Sequence, residues 1–361
     1  MKKIKVVYYL SVILIVMASC AGNSNRGKQE VGNSSQQTVQ HDTADYTNNF
    51  YDNAEKYSLK TYDLEVVGEV SNPGKVDFSK LPLRSVIVKE TLLGDNGDKF
   101  VGAYCYDGYS LFDILNAYHV AKKNEEEYKP IIDMYVEIEN ADGEKVVFSW
   151  GEIYYPNHLH EIIIATNVMR IVPSKTNELW ELPTDNKLVV VSDLITERNI
   201  SKPVKITVKS YDKQLVTIKG KTPLFAPKFD FFNSDKLIAT YTQNPKDIAE
   251  LTLHTIFYGR GRGIHSTQPF TGVPLKQLIA GHIPLTQTSI RQGLFLAAAD
   301  DGFRAVYTYS ELCNRNDQAD VLLICHPEVT TDGIFRLFPS CDFFSDRAIK
   351  ALNALYYSEA K

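Results

Sequence analysis

Hydrophobic and polar residues alternate from Ile132 to Ile138, with Ile132, Met134, Val136 and Ile138 on one face and Asp133, Tyr135 and Glu137 on the other. That period of two predicts a half-buried strand. Leu188 to Val191 is a short, largely β-branched apolar run. It predicts a more deeply buried strand. Leu111, Ile114, Leu115 and Tyr118 recur instead with helical spacing. Leu275, Leu278 and Ile279 repeat that spacing, with Pro274 in the first turn and Gly281 just past the end, so a second short helix is predicted there.

The pattern is written twice. Tyr106-Asp107-Gly108, the Leu111 helix, Asp142-Gly143, Trp150-Gly151-Glu152-Ile153 and the pair Asp193…Arg198 recur in the same order. The second set is Phe270-Thr271-Gly272, the Leu275 helix, Asp301-Gly302, Tyr309-Ser310-Glu311-Leu312 and Asp342…Arg347. From Tyr106/Phe270 to Leu115/Ile279 the copies stand 164 residues apart, from Asp142 to Ile153 they keep 159, and the Asp…Arg pairs are 149 apart. Separations that are constant within landmarks and change between them are the mark of loop insertions between fixed elements of a repeated unit. The expected fold is therefore α+β: two tandem mixed domains, residues 57–210 and 211–361, each of a size that buries one core efficiently.

At the N-terminus, Lys2, Lys3 and Lys5 precede the apolar run Val6 to Met17, followed by Ala18-Ser19-Cys20. This resembles a bacterial lipoprotein signal over residues 1–20, with Cys20 as the lipidated residue. An uncleaved signal anchor is the alternative. Residues 21–56 are rich in Asn, Ser, Gln, Gly and Asp and read as a disordered tether. The expected location is the cell envelope, lipid-anchored in the outer membrane. Without the three lysines the formal charge of −5 becomes −8, which argues against nucleic acid as a partner. Cys105, Cys313, Cys325 and Cys341 show no metal-like spacing, and either one disulfide among the last three or buried thiols fits them.

The run Gly272-Val273-Pro274-Leu275, then Ala299 to Tyr307, Ser310-Glu311-Leu312, Leu337-Phe338-Pro339 and Asp342 to Arg347 resembles the sulfite-oxidase-type molybdopterin-binding domain. The first copy is similar through Leu64 to Val70 and Asn72-Pro73-Gly74. The resemblance implies a tandem pair of such domains and a molybdopterin cofactor whose metal is held by a cysteine upstream of the Gly-Val-Pro-Leu helix. Here that loop, Thr255 to His265, has no cysteine, and neither does Ser85 to Tyr104 in the first copy. The departure argues against molybdenum redox chemistry.

The same loop reads Tyr258-Gly259-Arg260-Gly261-Arg262-Gly263-Ile264-His265. Glycines let backbone approach a ligand, and arginines offer fixed, forked positive charge. Tyr258, Arg260, Arg262 and His265, with Arg304 as a further anion holder, are the candidate ligand residues, against the alternative of a solvated turn. Trp150, Tyr154, Tyr155, His158 and His160 form a second cluster, able to line a mouth or pack as a loop. No nucleophile elbow, zinc-protease helix or nucleotide fingerprint is present. The expected function is non-catalytic capture of a small anionic aromatic ligand, such as a ferric catecholate siderophore or a pterin, beside an outer-membrane transporter. A molybdopterin-dependent oxidoreductase and an envelope scaffold are the alternatives.

Overall fold

The computed structural model describes residues 49–95, 97–326 and 333–360, which belong to one compact unit. Cys20, the signal segment and most of the expected tether lie outside the described residues. Of the tether's last residues, Asn53 exchanges two side-chain hydrogen bonds with the Val172 backbone, and Lys56 opens a strand. Among the described residues no helix is long and apolar enough to cross a membrane.

The first half contains β1 (Lys56–Ser58), β2 (Glu65–Gly68), β3 (Gly74–Lys75), β4 (Arg84–Gly94), β5 (Gly97–Ser110), α1 (Leu111–Leu115), β6 (Met134–Asn140), β7 (Lys145–Ser149), α2 (Trp150–Tyr154), β8 (Ile162–Arg170), β9 (Lys187–Val190) and β10 (Pro203–Ser210). The second half opens with β11 (Phe229–Asn233), β12 (Lys236–Tyr241), β13 (Leu251–Leu253), β14 (Phe257–Gly259), β15 (Gly263–Ser266), β16 (Phe270–Pro274) and α3 (Leu275–Ala280). It continues through α4 (Gln287–Gln292), β17 (Gly293–Ala299), β18 (Arg304–Thr308), α5 (Tyr309–Cys313), β19 (Val321–Cys325), β20 (Phe335–Pro339) and β21 (Leu352–Glu359).

Both halves use one strand plan. Sheet β3-β2-β10-β6-β7 matches β12-β11-β21-β17-β18, each with a single parallel pair, β2 with β10 and β11 with β21. Sheet β4-β5-β8-β9, extended by β1, matches β13-β16-β19-β20. The hairpin β14-β15 stands between β13 and β16, where the first half runs the long β4-β5 hairpin straight through.

The α+β expectation is overturned, because the chain is mostly β, with 43% strand against 12% helix. Each α-helix has only five or six residues, so the apolar spacing at Leu111 and Leu275 marks little more than one turn. The β4-β5 hairpin has no counterpart among the strands predicted from sequence. Its alternation is inverted: Glu90 is 3% exposed while Ile87 is 42% exposed. A strand that turns a carboxylate inward and an isoleucine outward leaves no period-two signal.

The halves meet around two buried arginines. Arg198 forks onto Asp193 at 2.8 and 2.7 Å and onto Glu152 at 3.1 and 3.0 Å, over the Phe148 ring. Arg347 does the same with Asp342 at 2.8 and 2.7 Å and with Glu311, over Tyr307. Capping boxes fix the glutamates: Ser149 caps α2 with Glu152, and Thr308 caps α5 with Glu311. The capping hydroxyls also cross over, Ser149 donating to Glu311 at 2.8 Å and Thr308 to Glu152 at 3.1 Å. Full burial of four carboxylates with two guanidiniums leaves excess negative charge, and the Glu152 carboxyl is pushed up to about 7, chiefly by burial.

Candidate functional site

Backbone bonds across the junction are paired like the arginines. Leu194 N–H donates to Asn314 O at 2.8 Å on one side, and Phe343 N–H to Tyr155 O at 2.6 Å on the other. Asn316 N–H reaches Ser192 O at 2.8 Å, and Asn157 N–H reaches Cys341 O at 3.0 Å. These bonds make Asn314 the counterpart of Tyr155, and Leu194 that of Phe343. One residue further along, Ile195 is the counterpart of Phe344.

Each hairpin tip is pinned by the same kind of bond. In the first half Leu93 N–H donates to Glu197 Oε1 at 3.0 Å; in the second Arg260 N–H donates to Asp346 Oδ2 at 3.0 Å. Glu197 and Asp346 each precede the buried arginine by one residue, so Arg260 stands where Leu93 stands. Leu93 packs onto the core cluster containing Ile195, Ile279 and Tyr309. Arg260 instead lines an open cavity of about 310 Å³ with Leu115, Tyr118, Trp150, Tyr154, Tyr155 and Phe344.

The substitutions around this cavity all run one way. Tyr309, Cys313, Asn314 and Ile195 on the closed side become Trp150, Tyr154, Tyr155 and Phe344 on the open side. On the closed side Asn314 satisfies itself on the Ile195 backbone, accepting at 2.9 Å and donating at 2.8 Å. On the open side Tyr155 meets Phe344 edge-on at 6.3 Å, and Trp150 stacks on Tyr154 at 4.8 Å. Burial raises the Tyr155 phenol, partly offset by the field of Arg260, and burial raises Tyr154 as well. Both phenols therefore stay neutral donors near pH 7. Among the described residues no ion pair engages the Arg260 guanidinium.

Of the expected ligand residues, Arg260 lines the cavity and Tyr258 lies behind its wall, with ring centres 5.7 Å from Phe343 and 6.1 Å from Phe344. Arg262 is exposed on the hairpin turn. His265 packs on Phe257 at 5.3 Å, and a Cβ at Gly259 would come within 2.7 Å of its Nε2, so that glycine serves the hairpin. Arg304 lies outside the cavity: it is 1% exposed and bonded to Asp133 at 3.2 Å and Glu127 at 3.1 Å, over Tyr128. Its role is to tie the halves together.

Trp150, Tyr154 and Tyr155 enter the site from the second sequence cluster, whereas His158 and His160 do not. His160 Nδ1 lies 3.0 Å from Ser110 Oγ, and His160 lines a separate polar cavity of about 200 Å³ with Glu161, Arg315 and Asp317. Among the described residues no group of three or more potential ligands is placed to hold a metal. Nor do the residues fit the cysteine-held molybdenum that the resemblance implies. Cys105 sits within β5 between Ile87 and Met169, and burial raises its thiol, disfavouring the thiolate a metal needs. Cys313 and Cys341 are also free thiols. Leu115 and Tyr118 were read from sequence only as a helical face, and Phe344 not at all, because only the junction brings the three to Arg260. No protein-family model matches the chain and no curated protein matches it in sequence, so the reading of this site rests on its geometry.

Proposed function

We propose that this chain is a non-catalytic, lipid-anchored envelope protein that captures a planar aromatic anion in the Arg260 cavity. The observation that carries the proposal is the contrast between two equivalent places in one chain. Leu93 closes one, while Arg260 and four aromatic replacements keep the other open. Aromatic faces with one forked cation suit a flat ligand bearing a carboxylate or similar group, through stacking and charge-assisted hydrogen bonds. The neutral phenols of Tyr154 and Tyr155 add donors without opposing the charge.

Size narrows the ligand. An apolar space of about 150 Å³ takes one benzene ring, so about 310 Å³ takes two rings. A ferric tris-catecholate would leave at least one ring outside, which favours a pterin-sized anion over a siderophore. The tether expected after Cys20 would let the body reach an outer-membrane transporter that consumes the ligand.

Calorimetric titration with pterin-6-carboxylate, unsubstituted pterin and a ferric tris-catecholate tests the reading. The carboxylate is expected to bind tightest, and Arg260→Ala to weaken it about tenfold or more, the value of a charge-assisted contact. Unchanged affinity in Arg260→Ala would remove the cavity from the account.

A further inference from the structure

We infer that the polar cavity beside Glu161 is a second binding site, for a small primary ammonium ligand. It shares no lining residue with the Arg260 cavity. The second half supplies the ammonium at the equivalent place from its own chain. There Lys276 Nζ meets Asp320 Oδ1 at 2.8 Å and Gln318 Oε1 at 3.1 Å. Strand register gives the counterparts in the first half. Ser110 pairs with Ile163 on β5-β8 as Pro274 pairs with Leu322 on β16-β19. Lys276, two residues after Pro274, therefore corresponds to Phe112, two after Ser110. Gln318 and Asp320, four and two residues before Leu322, correspond to Leu159 and Glu161, four and two before Ile163. The acid is kept, while the lysine has become a phenylalanine and the amide a leucine.

Space takes the place of the lysine. Phe112, Leu159 and Glu161 line a cavity of about 200 Å³ together with His160, Ser192 and Arg315. Among the described residues no hydrogen bond or ion pair engages the Glu161 carboxylate. The fields of His158 and Arg315 reach it, but Arg315 is forked onto Asp317, at 2.8 Å through Nε and again through Nη2, and the Asp317 charge opposes that of Arg315 at Glu161. Burial raises the Glu161 carboxyl. Burial also holds the His160 imidazole below its usual range, so His160 is neutral near pH 7 and adds no cation. A ligand ammonium standing where Lys276 stands in the second half gives Glu161 the charge-assisted hydrogen bond that Asp320 has there. The Phe112 ring, edge-on to His160 at 5.1 Å, and Leu159 wall the ligand's stem, and the ring can add cation–π attraction. A space of about 150 Å³ takes one benzene ring, so this cavity fits an ammonium carried on one ring or a short chain.

The test is calorimetric titration of the full-length chain with benzylamine, n-butylamine and benzyl alcohol at pH 7. Both amines are expected to bind with one-to-one stoichiometry, benzylamine about tenfold or more tighter than benzyl alcohol. Glu161→Gln keeps the shape of the side chain and removes its charge, and should bring benzylamine down to the affinity of the alcohol. Phe112→Lys, which rebuilds the ion pair of the second half, should abolish amine binding. Should that variant fail to fold, Glu161→Gln decides. No binding of either amine, equal affinity of benzylamine and benzyl alcohol, an unchanged preference in Glu161→Gln, or retention of amine binding in folded Phe112→Lys would each overturn the inference. Arg260→Ala should leave amine affinity unchanged. Its loss there would place the amine in the other cavity and equally refute the site.

Discussion

Replacing Arg260 with leucine gives the second hairpin tip the residue found at the first, and should convert the open cavity toward its closed counterpart. Leu93 is half-buried against the core. Full burial of a leucine stabilises by about 1.5–3 kcal/mol, so half burial predicts a gain of about 1 kcal/mol. For a chain of this size that is a rise in Tm of about 2 °C. The same change removes the guanidinium and fills space, so affinity for a planar anion should fall about tenfold or more. Thermal unfolding followed by circular dichroism, with calorimetric titration on the same samples, reads both effects. The combination of a more stable chain and weaker binding is diagnostic, because a residue serving only the hairpin would lose stability when replaced. Destabilisation of about 1 kcal/mol or more, or retained affinity, would refute the equivalence of Leu93 and Arg260.

Three further outcomes follow from the buried junction. Glu152 titrates at about 7 in the folded chain, above the ordinary carboxylate value of 4.5. The folded form therefore holds an extra proton between those values, and this contribution to stability is present below about pH 4.5 and lost as pH rises through 7. Tm measured from pH 5 to 8 should fall across that window, with a shallower slope in Glu152→Gln; an equal slope in the variant would contradict it. Gly151→Ala places a methyl 2.1 Å from Arg347 Nη1, whose guanidinium is held by Asp342 and Glu311 and has little room to yield. Overpacking of this kind costs about 1–3 kcal/mol, read by urea unfolding, and a neutral effect would mean that the junction relaxes. Leu93→Ala should cost about 1–2 kcal/mol without changing anion affinity, since Leu93 fills the closed side.

What the sequence showed of the doubling was the recurrence of turn glycines and of the Asp…Arg pairs at fixed separations; the strand order of the two halves was not legible in it. Nor was the balance of strand and helix. Glu90 facing inward and Ile87 outward hide the β4-β5 hairpin, and short apolar turns at Leu111 and Leu275 suggest more helix than one turn supplies. Arg260 stood out because a Gly-Arg-Gly-Arg-Gly run is unusual, yet its match to Leu93 depends on hydrogen bonds to Glu197 and Asp346 that no linear spacing reveals. Arg304 failed as a ligand residue for a similar reason. Its partners Glu127 and Asp133 lie in the other half, more than 170 residues away.

The proposed ligand site lies where the halves differ, at the aromatic cavity beside Arg260. Trp150 lies in that cavity, while the chain's other tryptophan, Trp180, packs on Phe100 at 5.2 Å. In a Trp180→Phe background the emission of Trp150 alone reports the site. Titration with pterin-6-carboxylate should quench it saturably, with the midpoint moving about tenfold or more higher when Arg260→Leu is added. Absence of saturable quenching, or an identical midpoint in both proteins, would contradict the account.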